Sequence, residues 1–92
     1  MKLEVDITHE FFVDAGVEVT HDGQDVSASF DGETFSPVRA KVLRAVGPGG
    51  GNPCIELEFI DEDHAWEWFS NWYMPDDADA ASEFEACIIF GA

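Results

Sequence analysis

The fold is decided by residues 54–75, which read CIELEFIDEDHAWEWFSNWYMP. The segment from Ile55 to Phe59 alternates apolar and acidic residues, the period-two pattern of a half-buried strand. Asp61 then predicts the N-cap of a helix from Glu62 to Met74, because acidic residues fill its first turn and Pro75 follows its end. The stretch therefore predicts a strand that leads directly into a helix.

The predicted helix is strongly amphipathic. At about 100° per residue, its aromatic side chains fall within an arc of roughly 160°. This arc is wider than the stripe of roughly 100° that a small domain needs to dock one helix. We therefore expect Trp66 or Trp68 to be partly exposed and to anchor a protein interface, since tryptophan dominates binding hot spots.

Alternation predicts more strands before this stretch. Residues 3–7 form one, which residues 11–13 continue past a bulge, and residues 17–20 and 26–30 flank an Asp22-Gly23 hairpin turn. A second turn is predicted at Asp31-Gly32. Each of these segments adds to one antiparallel sheet.

The segment from Ser36 to Val46 fits either a helix capped by Ser36-Pro37 or a strand. The strand is favoured because residues 38–42 alternate and a glycine-rich loop then leads into the strand at 55–59. Antiparallel pairing would place Arg39 and Lys41 opposite Glu56 and Glu58 as cross-strand ion pairs.

Residues 84–90 read as a closing interior strand. A chain of 92 residues has room for one small core. We therefore predict a single α+β domain over residues 1–92: an antiparallel sheet of five or six strands, with one amphipathic helix packed on one face and a largely acidic exposed face.

Charge is the main functional signal. The chain has 4 basic and 20 acidic residues, a formal net charge of −16, and no lysine or arginine after Arg44. Its 46% hydrophobic and 13% aromatic content excludes disorder of the whole chain. Such a field repels nucleic acid and anionic membranes and attracts cationic surfaces.

No catalytic motif, phosphate-binding loop or zinc spacing occurs, so we predict a non-enzymatic protein without cofactor or metal. A calcium loop beginning at Asp77 fails because Ser82 occupies the position that requires glycine. A looser cation site at 61–63 or 76–79 stays open. The absence of a signal peptide and of a long apolar run predicts a cytoplasmic protein.

Three acidic pairs, Glu4/Asp6, Glu56/Glu58 and Glu83/Glu85, are spaced two residues apart. On strands, each pair would project from one face about 6.6–6.8 Å apart, which matches every second phosphate of a DNA strand. The alternative is the ordinary solvated face of a sheet. The predicted partner-binding residues are Glu56, Glu58, Asp61, Asp63, Glu67, Asp76, Asp77, Asp79, Glu83, Glu85, Trp66 and Trp68.

In size, charge and compactness the chain resembles small acidic phage proteins that disarm host CRISPR or restriction systems. The resemblance implies a monomeric or homodimeric inhibitor in the host cytoplasm that mimics the charge of DNA and blocks the basic nucleic-acid-binding groove of a defence nuclease. Two alternatives are a salt-adapted housekeeping domain and a structural module that self-associates through an edge strand. A salt-adapted surface would be acidic all round, whereas a mimic would concentrate its charge.

Overall fold

The computed structural model describes residues 1–28, 30, 36–45 and 50–90. Within these residues, three strands form one antiparallel sheet in the order β1-β3-β2. The elements in chain order are β1 Lys2–Asp6, α1 His9–Asp14, β2 Arg39–Arg44, β3 Cys54–Glu58, α2 Glu62–Trp68, a π-helix Phe69–Tyr73 and α3 Ala80–Cys87. The prediction of five or six strands and a single helix is wrong, because segments expected to be strands are helical or irregular.

The strands alternate buried apolar and polar residues, so one face of the sheet holds the core. Leu3, Val42, Ile55 and Leu57 are fully buried on that face. They pack in one cluster with buried residues of all the helices. The result is two layers, with helices covering one face of the sheet and the other face left polar.

Irregular segments cover both edges of the sheet. Beside β2, the amides of Gly23 and Val26 donate to the carbonyls of Val42 and Ala40 at 2.7 and 2.9 Å. Beside β1, the amide of Ile89 donates to Lys2 at 3.0 Å. These contacts satisfy backbone groups that an open edge would expose to other chains.

The apolar run at residues 11–13 is helical, not a continued strand. Thr8 caps α1 by accepting a hydrogen bond from the Phe11 amide. Gly16, with φ of 73°, ends it: the Gly16 and Val17 amides donate to the carbonyls of Val13 and Phe12, a Schellman motif. The helix buries Phe12 and leaves Val13 exposed.

The predicted hairpin forms its turn but not its strands. Gly23 has φ of 83°, as the Asp-Gly signal requires. The side-chain oxygen of Gln24 accepts from the amides of Thr20 and His21, at 2.8 and 3.3 Å, and its amide nitrogen donates to the Glu18 carbonyl. This side chain therefore takes up backbone groups of Glu18, Thr20 and His21, and the segment after the turn pairs with β2.

The central helix occupies the expected residues but widens halfway. Asp61 caps it, its side-chain oxygen accepting from the His64 amide at 2.9 Å. From Phe69 onward the hydrogen bonds span five residues, and Met74 donates to Phe69 at 2.8 Å. A wider turn lets both Trp72 and Tyr73 stack on Trp68, at ring separations of 5.3 and 5.6 Å.

The predicted strand at 84–90 is also wrong, since α3 continues to Cys87. Ala80 and Phe84 are buried and Cys87 is half-buried, a helical spacing that points one face to the core. Ile88, which follows the helix, is extended and forms a bridge to Leu3. Of the two structures that fit the segment from Ser36 to Val46, the favoured strand is confirmed, with the bounds Arg39–Arg44. The Asp31-Gly32 turn and residues 46–49 of the glycine-rich loop lie outside the described residues.

Candidate interaction surface

The open face of the sheet carries every lysine and arginine of the chain. The sequence contains four such residues, and the strand register places them in three rows across the sheet. From β1 through β3 to β2, the rows are Lys2, Glu58 and Arg39; Glu4, Glu56 and Lys41; and Asp6, Cys54 and Arg44. Four cations share this face with four carboxylates, so the predicted acidic sheet face is wrong.

The ion pairs on this face differ from those predicted. The register opposes Arg39 to Glu58 and Lys41 to Glu56, as the sequence indicates. Among the described residues, however, the pairs within 4 Å are Lys2 with Glu56, at 3.3 Å, and Arg39 with Asp25, at 3.6 Å. Lys2 reaches Glu56 diagonally across the β1–β3 ladder, a neighbour relation that long side chains span.

The net charge of the chain lies outside the strands, because every lysine and arginine is on a strand. The four cations and the four strand carboxylates cancel. The whole net charge of −16 therefore comes from carboxylates outside the three strands. Charge is thus distributed unevenly, with a balanced sheet face and an uncompensated remainder.

Nine carboxylates on and between the last helices form what we call the acidic helical surface. All nine are exposed, and no lysine or arginine occurs in this part of the chain. They are Asp61, Glu62, Asp63, Glu67, Asp76, Asp77, Asp79, Glu83 and Glu85. Together these exposed carboxylates produce a strong local negative field.

A groove between α2 and α3 crosses this surface, with half-buried Trp66 at its centre; we call it the Trp66 groove. At one end, Trp66 and Phe84 lie among carboxylates, and the lining residues are Glu62, Asp63, Trp66, Ala81, Phe84 and Glu85. A second cavity adjoins the first, shares Trp66 and Ala81 with it, and is lined by Asp76 and Asp77 at the turn before α3; the name covers both cavities. The groove therefore has an apolar floor with carboxylates at both ends.

Aromatic neighbours hold Trp66 in place. Its indole meets the Phe84 ring edge-on at 5.2 Å and lies nearly parallel to the Phe69 ring at 6.4 Å. Both phenylalanines are buried. A ring fixed by the core loses little side-chain entropy when something binds to it.

The structure separates the predicted site residues. Trp66 and eight of the predicted carboxylates lie on the last helices or next to them. Trp68 is 0% exposed and belongs to the core, so it offers no surface to a partner. Glu56 and Glu58 lie on the balanced sheet face among the cations.

Glu83 and Glu85 do not share a face, because α3 is a helix and residues two apart project about 200° from each other. Glu85 lines the Trp66 groove, whereas Glu83 lines a second groove. The predicted phosphate-like spacing of this pair is therefore wrong. The same spacing holds for Glu4/Asp6 and Glu56/Glu58, but the register places lysines and arginines in the same rows as those pairs.

Sequence reasoning missed Glu62 and Phe84 as parts of the groove. Glu62 precedes Trp66 by four residues, so helical periodicity alone places the two on one face. The strand predicted at 84–90 includes Phe84 and leaves α2 without a neighbouring helix. Recognition of α3 from the spacing of Ala80, Phe84 and Cys87 would have indicated two adjacent helices.

The second groove contains both cysteines of the chain, Cys54 and Cys87, together with Tyr73. The Cys54 thiol donates to a Glu4 carboxylate oxygen at 3.2 Å. Burial, this hydrogen bond and the charges of Glu4 and Asp6 raise the pKa of Cys54 to about 12. Burial also raises the pKa of Cys87 and of Tyr73. The three groups therefore stay protonated near neutral pH, and neither thiol is an activated nucleophile.

We expect Cys54 to resist thiol reagents. In a Cys87→Ser variant at pH 8, Ellman's reagent should modify Cys54 of the native protein at least about tenfold more slowly than Cys54 of the denatured chain. The native thiol reacts slowly because little of it is thiolate. Local opening of the native protein exposes the thiol and sets how slow the reaction becomes. A Cys54→Ser variant, which retains half-buried Cys87, should react faster than the first. Equal rates for native and denatured Cys54 would contradict the buried, hydrogen-bonded thiol.

Two further observations concern metal ions and membranes. No group of three or more candidate ligands that could hold a metal ion occurs among residues 1–28, 30, 36–45 and 50–90. No helix in that same part of the chain has the length and apolar character that a membrane crossing requires. Comparisons with protein-family models, curated proteins and solved structures gave no match.

Proposed function

We propose that this protein is a non-enzymatic acidic inhibitor that occupies the basic nucleic-acid-binding groove of another protein. The observation that carries the proposal is the charge distribution. Every cation lies on the sheet, and the net charge of −16 lies outside the strands. The cations of a partner's groove would therefore meet the carboxylates of the acidic helical surface and no lysine or arginine there.

Helical geometry supports mimicry of DNA charge on this surface. Asp63 and Glu67 lie one turn apart on α2, about 6 Å along the axis. Every second phosphate on one DNA strand is separated by about 6.8 Å. Exposed carboxylates at this spacing offer a basic groove the charge density that it normally finds on a duplex. The helices thus replace the strand pairs as the elements that present the charge.

The function is that of an anti-defence protein of phage, directed at a host nuclease or effector complex in the cytoplasm. Restriction and CRISPR nucleases expose long cationic grooves for DNA, and these are the surfaces that the acidic helical surface complements. The salt-adapted alternative predicts an evenly acidic surface. The balanced sheet face weighs against that alternative.

A competition assay tests the proposal. A fluorescent duplex is bound to each member of a panel of purified restriction endonucleases, CRISPR effectors and nucleoid proteins at about 150 mM salt, and the chain is added. We expect displacement of the duplex from at least one defence protein at micromolar concentration. We also expect no direct binding of the duplex to the chain, because like charges repel.

The assay has two contradicting outcomes. If the duplex stays bound to every panel member at 50 μM chain, a concentration on the order of weak non-specific DNA-binding constants, the inhibitor function is wrong. If the chain itself shifts the duplex, the protein binds DNA directly and charge mimicry is wrong.

A further inference from the structure

We propose that the Trp66 groove is an arginine-binding site: one arginine side chain of the partner lies against the indole, and its guanidinium pairs with carboxylates at the end of the groove. This inference rests on the proposed function and names the group that the surface recognises. It follows from the ring, the carboxylates around it and the fixed geometry of both.

The floor of the groove selects a flat or apolar group. Trp66 is half-buried, and cavities adjoin it on the Glu62 side and on the Asp76 side. The small side chains of Ala80 and Ala81 leave space beside the Trp66 ring. Exposed aromatic surface of this kind accepts the methylene stem of a long side chain, or a planar group stacked on the ring.

The ends of the groove select a cation. Glu62, Asp63 and Glu85 line one end, and Asp76 and Asp77 line the other. An apolar or anionic occupant would remove water from these carboxylates without pairing them, which costs free energy. A nucleobase could stack on Trp66, but its phosphate would face five carboxylates and no cation.

An arginine side chain fits both the aromatic floor and the carboxylates of the groove. Its guanidinium is planar and weakly hydrated, stacks on aromatic rings and binds carboxylates through two parallel hydrogen bonds. Lysine carries the same charge but is strongly hydrated and binds as a point charge. Tryptophan is also the aromatic side chain that attracts cations most strongly. The groove should therefore prefer arginine over lysine, whereas charge alone would treat them equally.

The test uses two peptides of equal charge and length, Gly-Arg-Gly-Arg-Gly-Arg-Gly and its lysine counterpart, both with blocked ends. Binding to the full chain is measured by calorimetry at about 50 mM salt, and the three indole N–H signals are followed by NMR. We expect the arginine peptide to bind at least about fivefold more tightly and to shift the Trp66 signal most.

Three variants separate the contribution of the Trp66 ring from that of the general negative field. Trp66→Leu should bind both peptides equally and weakly, with the remaining affinity lost at higher salt. Trp72→Leu removes another half-buried tryptophan, which lines a different cavity with Phe11, and should keep the preference. Trp66→Phe should keep a reduced preference, which shows that any loss in Trp66→Leu comes from the ring and not from unfolding.

Failure of this inference is distinct from failure of the proposed function. Equal affinity of the unmodified chain for both peptides would overturn the arginine site, even if the chain displaces DNA from a nuclease. An unchanged arginine preference in Trp66→Leu would also overturn it. A clear preference combined with no displacement of duplex in the panel would overturn the proposed function but leave the arginine site standing.

Discussion

Reversing three carboxylates of the Trp66 groove, with Glu62→Lys, Asp63→Lys and Glu85→Lys, is expected to weaken inhibition of the target nuclease at least about a hundredfold. The variant changes the net charge from −16 to −10. It loses long-range attraction, which lowers the association rate, and it places cations where the partner's cations dock, which raises the dissociation rate. Inhibition is measured as displacement of the fluorescent duplex from the panel protein that the unmodified chain inhibits.

A matched variant isolates the contribution of the groove. Glu10→Lys, Asp14→Lys and Glu18→Lys make the same change in net charge at exposed positions on α1 and just after it. Because this variant alters the general field but leaves the groove intact, we expect a loss of about tenfold or less, mostly in the association rate and sensitive to salt. Equal losses in the two variants would mean that the charge acts without a defined contact surface.

The charge-reversed groove needs one stability control. Glu62 and Asp63 lie in the first turn of α2, where negative charge interacts favourably with the helix dipole. Their reversal therefore costs roughly 0.3–1 kcal/mol each in folding stability. The neutral variant Glu62→Gln, Asp63→Asn, Glu85→Gln carries a smaller cost and should still weaken inhibition more than the α1 variant. Thermal unfolding of all variants confirms that the comparison is between folded proteins.

The parts of the fold that local sequence determines were predictable. The β3 strand and the following helix rest on period-two alternation and on the Asp61 cap, and both signals act within a few residues. The register of β2 against β3 followed from charge complementarity between Arg39, Lys41 and the two glutamates. These features depend on neighbours in the chain or on one adjacent strand.

The errors came from short apolar runs, whose periodicity does not separate strand from buried helix. At residues 11–13 the decisive signals were Thr8 before the run and Gly16 after it, both helix caps. At 84–90 the apolar run includes the end of a helix and the residues after it, since α3 ends at Cys87 and Ile88 is extended. In each case the pattern predicts one strand for apolar residues that the tertiary contacts place in different environments.

The Trp66 groove could not be predicted from local sequence patterns, because it depends on contacts between two helices. It exists only because α3 is a helix that packs Phe84 against Trp66. The width of the aromatic arc did indicate an excess of apolar surface on the central helix. Which ring is exposed depends on the widened turn at Phe69, because that turn stacks Trp72 and Tyr73 over Trp68 and encloses it.

Substitution of Trp68 by alanine is expected to lower the free energy of unfolding by about 3–5 kcal/mol. The ring is fully buried and contacts Phe59, Trp72 and Tyr73 at centroid distances of 5.3–5.6 Å. A domain of this size has a total stability of roughly 5–14 kcal/mol. The variant should therefore be partly unfolded at 37 °C, as urea denaturation followed by far-UV circular dichroism will measure.

Two comparisons give this prediction its meaning. Trp66→Ala should cost only about 1–2 kcal/mol, since that ring is half-buried and part of its surface already contacts water. Trp68→Phe should cost less than Trp68→Ala, because phenylalanine refills most of the space and removes an indole N–H that has no acceptor among the described residues. If alanine were tolerated equally well at both positions, Trp68 would not centre the core, and it would again be available as the interface anchor that the sequence predicts.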